Sequence, residues 1–242
     1  MRPGTLYLIP SPLGESGLAC IVPDEVKQLA GQLDTFIVEH PKTARHFLKQ
    51  IGTRTPLQQL HISVLDEHTQ DVQLMTLLQP LLDGKHVGLL SEAGCPGVAD
   101  PGANLVRLAH AKGIRVAPMV GPSSILLALM ASGLNGQRFT FHGYLPIAKD
   151  ERKKKLVALE QESQARDQTQ IFIETPYRNL SMLDAVLAAC KPESQLCIAT
   201  DITLSTETIL TKPISQWRRS PPPDIDKKPT VFLLYSTNGV TQ

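Results

Sequence analysis

Short apolar runs alternate with amphipathic stretches along the first half of the chain. Leu6–Pro10, the core of DTFIVEH, the stretch LHISVLDEH, Val87–Leu90 and IRVAPMV each place apolar residues close together between turn-forming segments. Runs of this length, bounded by Gly, Pro, Asp and Asn, predict strands. Between them lie helical patterns. A first helix is expected to start near Pro23, because proline suits the first helical turn and Asp24 and Glu25 suit its positive end. KTARHFLKQI, TQDVQLMTLLQPLL and the stretch from Asn104 predict three more, with Pro80 expected to kink or end the third of these four helices. Strands separated by helices of about 10–15 residues predict βαβ units and a largely parallel sheet.

The pattern changes at PMVGPSS, Pro118 to Ser124, which sets an expected boundary between domains spanning 1–118 and 119–242. Beyond it come a helix in SSILLALMASG, a strand in RFTFHGYL, a charged helix from Lys149 to Glu162, a strand in TQIFIET and a helix in NLSMLDAVLAAC. Three further strands, QLCIAT, TETILT and TVFLLY, crowd together with little helix between them, which predicts a mixed sheet in the second half. WRRSPPPDIDKKP, Trp217 to Pro229, reads as an extended surface connection. The fold class expected is therefore α/β, with a mainly parallel N-terminal sheet and a mixed C-terminal one.

Composition narrows the function classes. Hydrophobic residues make up 42% and charged residues 19%, the balance of a folded globular chain rather than a disordered one. A formal net charge of +1 gives no global nucleic-acid footprint and leaves room only for a local basic patch. No apolar run approaches the roughly 18–20 residues of a membrane span, and the N-terminus lacks a signal-peptide pattern. Cys20, Cys95, Cys190 and Cys197 form no Cys-x-x-Cys pair, which favours a reducing cytoplasm over a disulfide framework. The seven histidines show no metal-ligand spacing, so no metal is expected.

Three Gly/Pro-rich turns follow strands: IPSPLGES, SEAGCPGVADPG and VGPSS. In open α/β sheets ligands bind at the carboxyl ends of strands, so all three are expected to face one crevice. None matches a Rossmann fingerprint or a P-loop. Cys95 sits in the second turn without any motif supplying an activating base. His142 follows apolar residues and reads as a packed, hydrogen-bonded residue. KDERKKKL either contacts phosphate or is the solvated face of a helix, and Glu174 and Arg178 are either a capping pair or a substrate-binding one.

In their order, GTLYLIPSPLGE, LLSEAGCPGVADPGANLVRLAHAKGI, VGPSSILLALMASGL, RFTFHGYLP and IFIETPYR resemble the tetrapyrrole methylase superfamily. The nearest likeness is to its branch of bacterial 16S rRNA cytidine 2′-O-methyltransferases. The resemblance implies two α/β domains, S-adenosylmethionine as cofactor and a homodimer. It implies cofactor contacts from Pro12 and Leu13, from Ala93, Gly94, Cys95 and Val98, from Ser123 and Ser124, and from Leu145 at the adenine. Backbone N–H groups from Gly94 to Gly97 are expected to take the cofactor carboxylate. Where that branch typically reads Glu-Asp-Thr-Arg, this chain has Glu39-His40-Pro41-Lys42; where it reads Glu-Ser-Pro-His-Arg, this chain has Glu174-Thr175-Pro176-Tyr177-Arg178.

The expected activity is methyl transfer to a ribose 2′-hydroxyl of small-subunit ribosomal RNA. The expected proton acceptors are Glu39 and Glu174, both at strand ends, and Lys42, Arg178 and the lysines at 153–155 are expected to meet phosphate. Two other readings of the same fold are a protein that binds the cofactor without turnover and a methylase of a porphyrinoid-like acceptor.

Overall fold

The computed structural model describes residues 2–15, 21–66 and 68–237. Residues 16–20, with Cys20 and the far end of the first Gly/Pro turn, lie outside that set, as does Glu67 in the third apolar run. The chain divides into two units, one ending at Ser123 and one starting at Ser124.

In the first unit, β1 (Thr5–Ile9), β2 (Thr35–Val38), β3 (His61–Val64), β4 (Val87–Leu90) and β5 (Arg115–Pro118) form one sheet in the order β3-β2-β4-β1-β5. Every pairing in it is parallel. The inner strands β2 and β4 are buried throughout, while the edge strands β3 and β5 are largely exposed. That is why the inner strands read as continuous apolar runs: both of their faces are covered. One face carries Phe36, Val38, Ile9 and Leu90 against Val26 and Ala30 of α1 (Asp24–Gln32) and Phe47 and Leu48 of α2 (Pro41–Ile51). The other carries Leu6, Ile37, Val87 and Leu89 against Leu74, Leu78 and Leu81 of α3 (Asp71–Leu82) and Leu105 and Ala109 of α4 (Gly102–Ala111).

Helix starts follow local chemistry. Asp24 and Glu25 occupy the first turn of α1, and Pro41 opens α2. A reciprocal Gln70–Gln73 capping box starts α3, which runs past Pro80 to Leu82, two residues further than a strict proline stop. Leu78 and Leu81, both fully buried, anchor that last turn. Among the described residues no helix is long and apolar enough to cross a membrane.

In the second unit, β6 (Phe139–Tyr144), β7 (Thr169–Ile173), β8 (Gln195–Thr200), β9 (Thr208–Pro213) and β10 (Thr230–Tyr235) are ordered β6-β7-β10-β8-β9. Only β6 and β7 run parallel; the remaining pairs are antiparallel. The fold class is thus α/β with one parallel and one mixed sheet. Stacked Phe172 and Phe232, with ring centroids 5.6 Å apart, centre a core built with α6 (Lys149–Arg166), α7 (Asn179–Ala189) and α8 (Ile214–Trp217). α5 (Ser124–Ser132) packs on strands of the same sheet.

The segment from Trp217 to Pro229 is not merely a surface connection. Trp217 is 4% exposed, its Nε1–H donates to the Leu196 carbonyl at 2.8 Å, and the Lys212 ammonium lies 4.6 Å from its ring centroid. Ile225 is also buried. Asn179, fully buried at the start of α7, ties this segment down by donating to the carbonyls of Ile225 (2.9 Å) and Lys228 (2.7 Å). Replacing Asn179 with Ala leaves those carbonyls without that donor and is expected to cost about 1–3 kcal/mol, measured as a lower urea midpoint at unchanged slope.

Candidate functional site

A parallel sheet puts the carboxyl ends of its strands along one edge, and β4, β1 and β5 are neighbours. The turns after them, Pro10–Leu13, Ser91–Val98 and Met119–Pro122, therefore lie side by side. Backbone pairing locks the first two: the Ser11 N–H donates to the Gly94 carbonyl at 2.9 Å and the Gly94 N–H to the Ser11 carbonyl at 3.0 Å. The Ser11 hydroxyl adds a bond to the Ser91 carbonyl at 3.1 Å. The third turn closes on the others because Gly121 lacks a side chain; a Cβ there would stand 2.4 Å from the Cβ of Pro10. Cys95 Sγ donates to the Pro122 carbonyl at 3.3 Å.

These contacts bring Leu13, Gly94 and Cys95 together, with Pro12 and Ala93 adjoining them in the chain. Gly94 has φ +74°, a conformation L side chains resist, and its missing Cβ would face Leu13 Cδ2 at 3.4 Å and the Pro122 carbonyl at 3.7 Å. Val98 is 49% exposed and its N–H turns back to the Cys95 carbonyl at 3.3 Å.

The expected carboxylate nest is smaller than the glycines suggest. The Gly94 N–H is spent on Ser11, and the Gly97 N–H on both Asp100 oxygens at 2.9 Å. Pro96 has none, so in the stretch 94–97 the Cys95 N–H is the one left for a ligand. Asp100 was not singled out in the sequence, although Asp-Pro-Gly is a turn signal. Its carboxylate also caps Gly102 at 2.7 Å, which is why α4 begins two residues before Asn104. Burial pushes its carboxyl above the usual value of 3.8.

Glu39 follows β2, the strand beside β4. Its N–H donates to the Leu90 carbonyl at 3.1 Å, and its Oε2 accepts the Glu92 N–H at 3.0 Å. Partial burial raises its carboxyl above 4.5; the Glu92 N–H works against that, and the nearby charges of Asp100 and Glu92 add to it. Glu39, Ser91 and Asp100 line a small cavity of about 10 Å3, the space of one water-sized group. Lys42 stands exposed in the first turn of α2. Burial raises the Cys95 thiol above 9.0, the direction opposite to that of an activated nucleophile.

In the second unit, Ser124 opens α5 directly after Ser123. The Leu145 side chain is 3% exposed and packs in the core, so any ligand contact there falls to its main chain. Glu174 follows β7 with its side chain fully buried, and its Oε1 accepts from Arg178 Nη2 (2.6 Å), Arg178 Nε (3.0 Å) and the Thr175 N–H (2.7 Å). Its Oε2 is buried without a partner. His142 is half-buried, with Nε2 2.6 Å from Gln170 Oε1. Of the basic run, Lys153 and Lys154 are exposed, Lys155 is half-buried and Arg152 is buried.

The sequence model of the family described as Tetrapyrrole (Corrin/Porphyrin) Methylases matches residues 19–217. A protein named ribosomal RNA small subunit methyltransferase I from Escherichia coli O157:H7 is 33% identical, over 88% of this chain and 70% of its own length. Its namesake from Haemophilus influenzae is also 33% identical, over 89% and 72%. Among solved structures, the methyltransferase CobJ superposes with a TM-score of 0.64 at 18% identity, over 98% of this chain and 95% of that one. At that identity the likeness speaks for the fold.

Proposed function

Since the chain belongs to the tetrapyrrole (corrin/porphyrin) methylase family and is a methyltransferase, we propose that it uses S-adenosylmethionine to methylate a ribose 2′-hydroxyl of small-subunit ribosomal RNA. Two similar proteins carry names for action on that RNA. The observation that carries the reading is the locked triple turn of the first unit. Backbone pairing between Ser11 and Gly94 holds a ledge at this turn, with Gly94 buried and the free N–H of half-buried Cys95 on it. The ledge suits the amino-acid end of the cofactor, one donor at a time rather than as a full nest. Pro12, Leu13, Ala93, Val98, Ser123, Ser124 and the Leu145 main chain are proposed as the remaining contacts.

The bound sulfonium supplies an already activated methyl group, so the chain's own work is alignment, exclusion of water and removal of one proton. A ribose hydroxyl that took up that methyl group would give its proton to a base. Glu39 is the better placed of the two carboxylates. It is half-exposed and its raised basicity suits it to take a proton. Glu174 has one oxygen committed to Arg178 and Thr175, and is assigned to holding Arg178 in place. Lys42 and Arg178 are proposed to meet phosphates. The protein is proposed to act as a homodimer in the cytoplasm, where its RNA is assembled.

The test is nucleoside mass spectrometry of ribosomal RNA from cells with and without the gene, paired with tritium transfer from labelled cofactor to the unmodified RNA by purified protein. One 2′-O-methylated nucleotide is expected to vanish in the deletion and to be restored in vitro. If none vanishes and no tritium enters RNA, the acceptor is not ribosomal RNA.

A further inference from the structure

Arg152 is the least ordinary charge in the second unit. It is 4% exposed, yet pairs with no carboxylate among the described residues. Its Nη2 donates to Ser181 Oγ at 3.1 Å, and its Nε is buried without a partner. A buried cation without a counter-charge costs stability unless an anion meets it. Ser181 lies in the first turn of α7, where the helix dipole also favours negative charge, and it is exposed. Its oxygen accepts from Arg152, and its own O–H remains able to donate to a ligand.

The neighbouring turn carries the other half of a nucleotide's chemistry. Tyr177 is 78% exposed on the 3-10 turn Pro176–Arg178. The turn is fixed from two sides. Arg178 is clamped by Glu174 in the manner given above, and the Lys227 N–H donates to the Pro176 carbonyl at 3.2 Å. Lys227 is exposed and pairs with no acid among the described residues. Glu174 balances the charge of Arg178, so the uncompensated cations at this corner are Arg152 and Lys227. A solvent-facing ring on a fixed turn beside unmatched positive charge has the composition of a platform for single-stranded nucleic acid.

We propose that this corner of the second unit is a nucleotide-contact site for the RNA substrate, with Tyr177 stacking an unpaired base and Arg152, through Ser181 and the first turn of α7, holding the adjacent phosphate. The inference rests on the RNA reading above, which already puts Arg178 of this turn at a phosphate, and adds Tyr177, Arg152 and Ser181 to that contact.

The test uses full-length protein, in-vitro-transcribed small-subunit ribosomal RNA and labelled cofactor. Tyr177→Ala is expected to raise KM for RNA about 10-fold, equivalent to about 1.4 kcal/mol, with kcat, cofactor affinity and melting temperature unchanged. Tyr177→Phe keeps the ring face and is expected to match the wild type. Arg152→Gln is expected to lower the slope of log affinity against log salt by about one; if that variant fails to fold, exposed Lys227→Gln is expected to lower it by a similar amount. RNA binding by the wild type with no change in Tyr177→Ala overturns the stacking site and leaves the methyltransferase reading standing. RNA contact that depends on Tyr177 without methyl transfer supports the site and refutes the activity. Failure of the wild type to bind the RNA overturns both.

Discussion

A Gly94→Leu variant is expected to bind S-adenosylmethionine more than about 100-fold more weakly than the wild type, a loss of about 2.7 kcal/mol. Two effects act at this position and can be separated. A side chain at φ +74° strains the backbone, at a cost of about 1–2 kcal/mol that falls on folding. The Cβ itself would meet only ordinary contacts, 3.4 Å to Leu13 Cδ2 and 3.7 Å to the Pro122 carbonyl. Gly94 is buried, so the rest of a leucine has to displace what covers it, next to the Cys95 N–H. Gly94→Ala should therefore lower stability while keeping most of the binding, and Gly94→Leu should lose both. Isothermal calorimetry on both variants, with circular dichroism to establish that each is folded, gives the comparison. Unchanged affinity in a folded Gly94→Leu protein means the cofactor does not approach this turn.

Glu39→Gln is expected to lower methyl transfer by about 10²–10⁴-fold with little change in cofactor affinity, because the amide oxygen can still accept the Glu92 N–H. The pH dependence carries the sharper signature. The base works only when deprotonated, and its carboxyl is raised above 4.5. The acid limb of the wild-type rate should accordingly lie at higher pH than for an ordinary glutamate, and the variant should lose it. The stability effect has the opposite sign. With a folded value above the unfolded one, the stabilising contribution of Glu39 is present below about 4.5 and is lost as pH rises through the raised value. At neutral pH the Gln variant should thus melt no lower than the wild type. A residue whose removal abolishes turnover yet does not weaken the fold is there for chemistry. An active Glu39→Gln enzyme moves the base elsewhere, with Glu174 next to be tested.

Much of the architecture was legible because the inner strands β2 and β4 are buried on both faces, and such strands announce themselves as unbroken apolar runs. The Gly/Pro-rich turns were legible because glycine supplies the positive φ at Gly94 and Gly97 and the close approach of Gly121 to Pro10. What the turns do with their hydrogen bonds was not. The donors of Gly94 and Gly97 are consumed by Ser11 and Asp100, and the Ser11 pairing joins segments more than 80 residues apart. Trp217 and Ile225 were hidden inside a run of prolines and charges whose composition says surface, although single apolar side chains can anchor such a run. Arg152 is legible from the helical spacing of its neighbours. Arg152, Leu156, Leu159, Glu160 and Ser163 are the buried positions of α6; they recur at helical spacing and place the arginine on the inner stripe. Lys153 and Lys154 fall on the outer face.

The buried indole of Trp217 has a use beyond packing. It is the single tryptophan of the chain, and it reports from the second unit alone, enclosed and hydrogen-bonded to Leu196. Its emission should shift to the red only when that unit opens, whereas far-ultraviolet ellipticity registers helix loss in both units. Titrating urea while following the two signals together therefore compares the cooperativity of the halves without labelling or truncating the protein. Coincident curves would mean the halves unfold as one. Separated curves would rank their stabilities, and adding cofactor would show which half its binding free energy reaches.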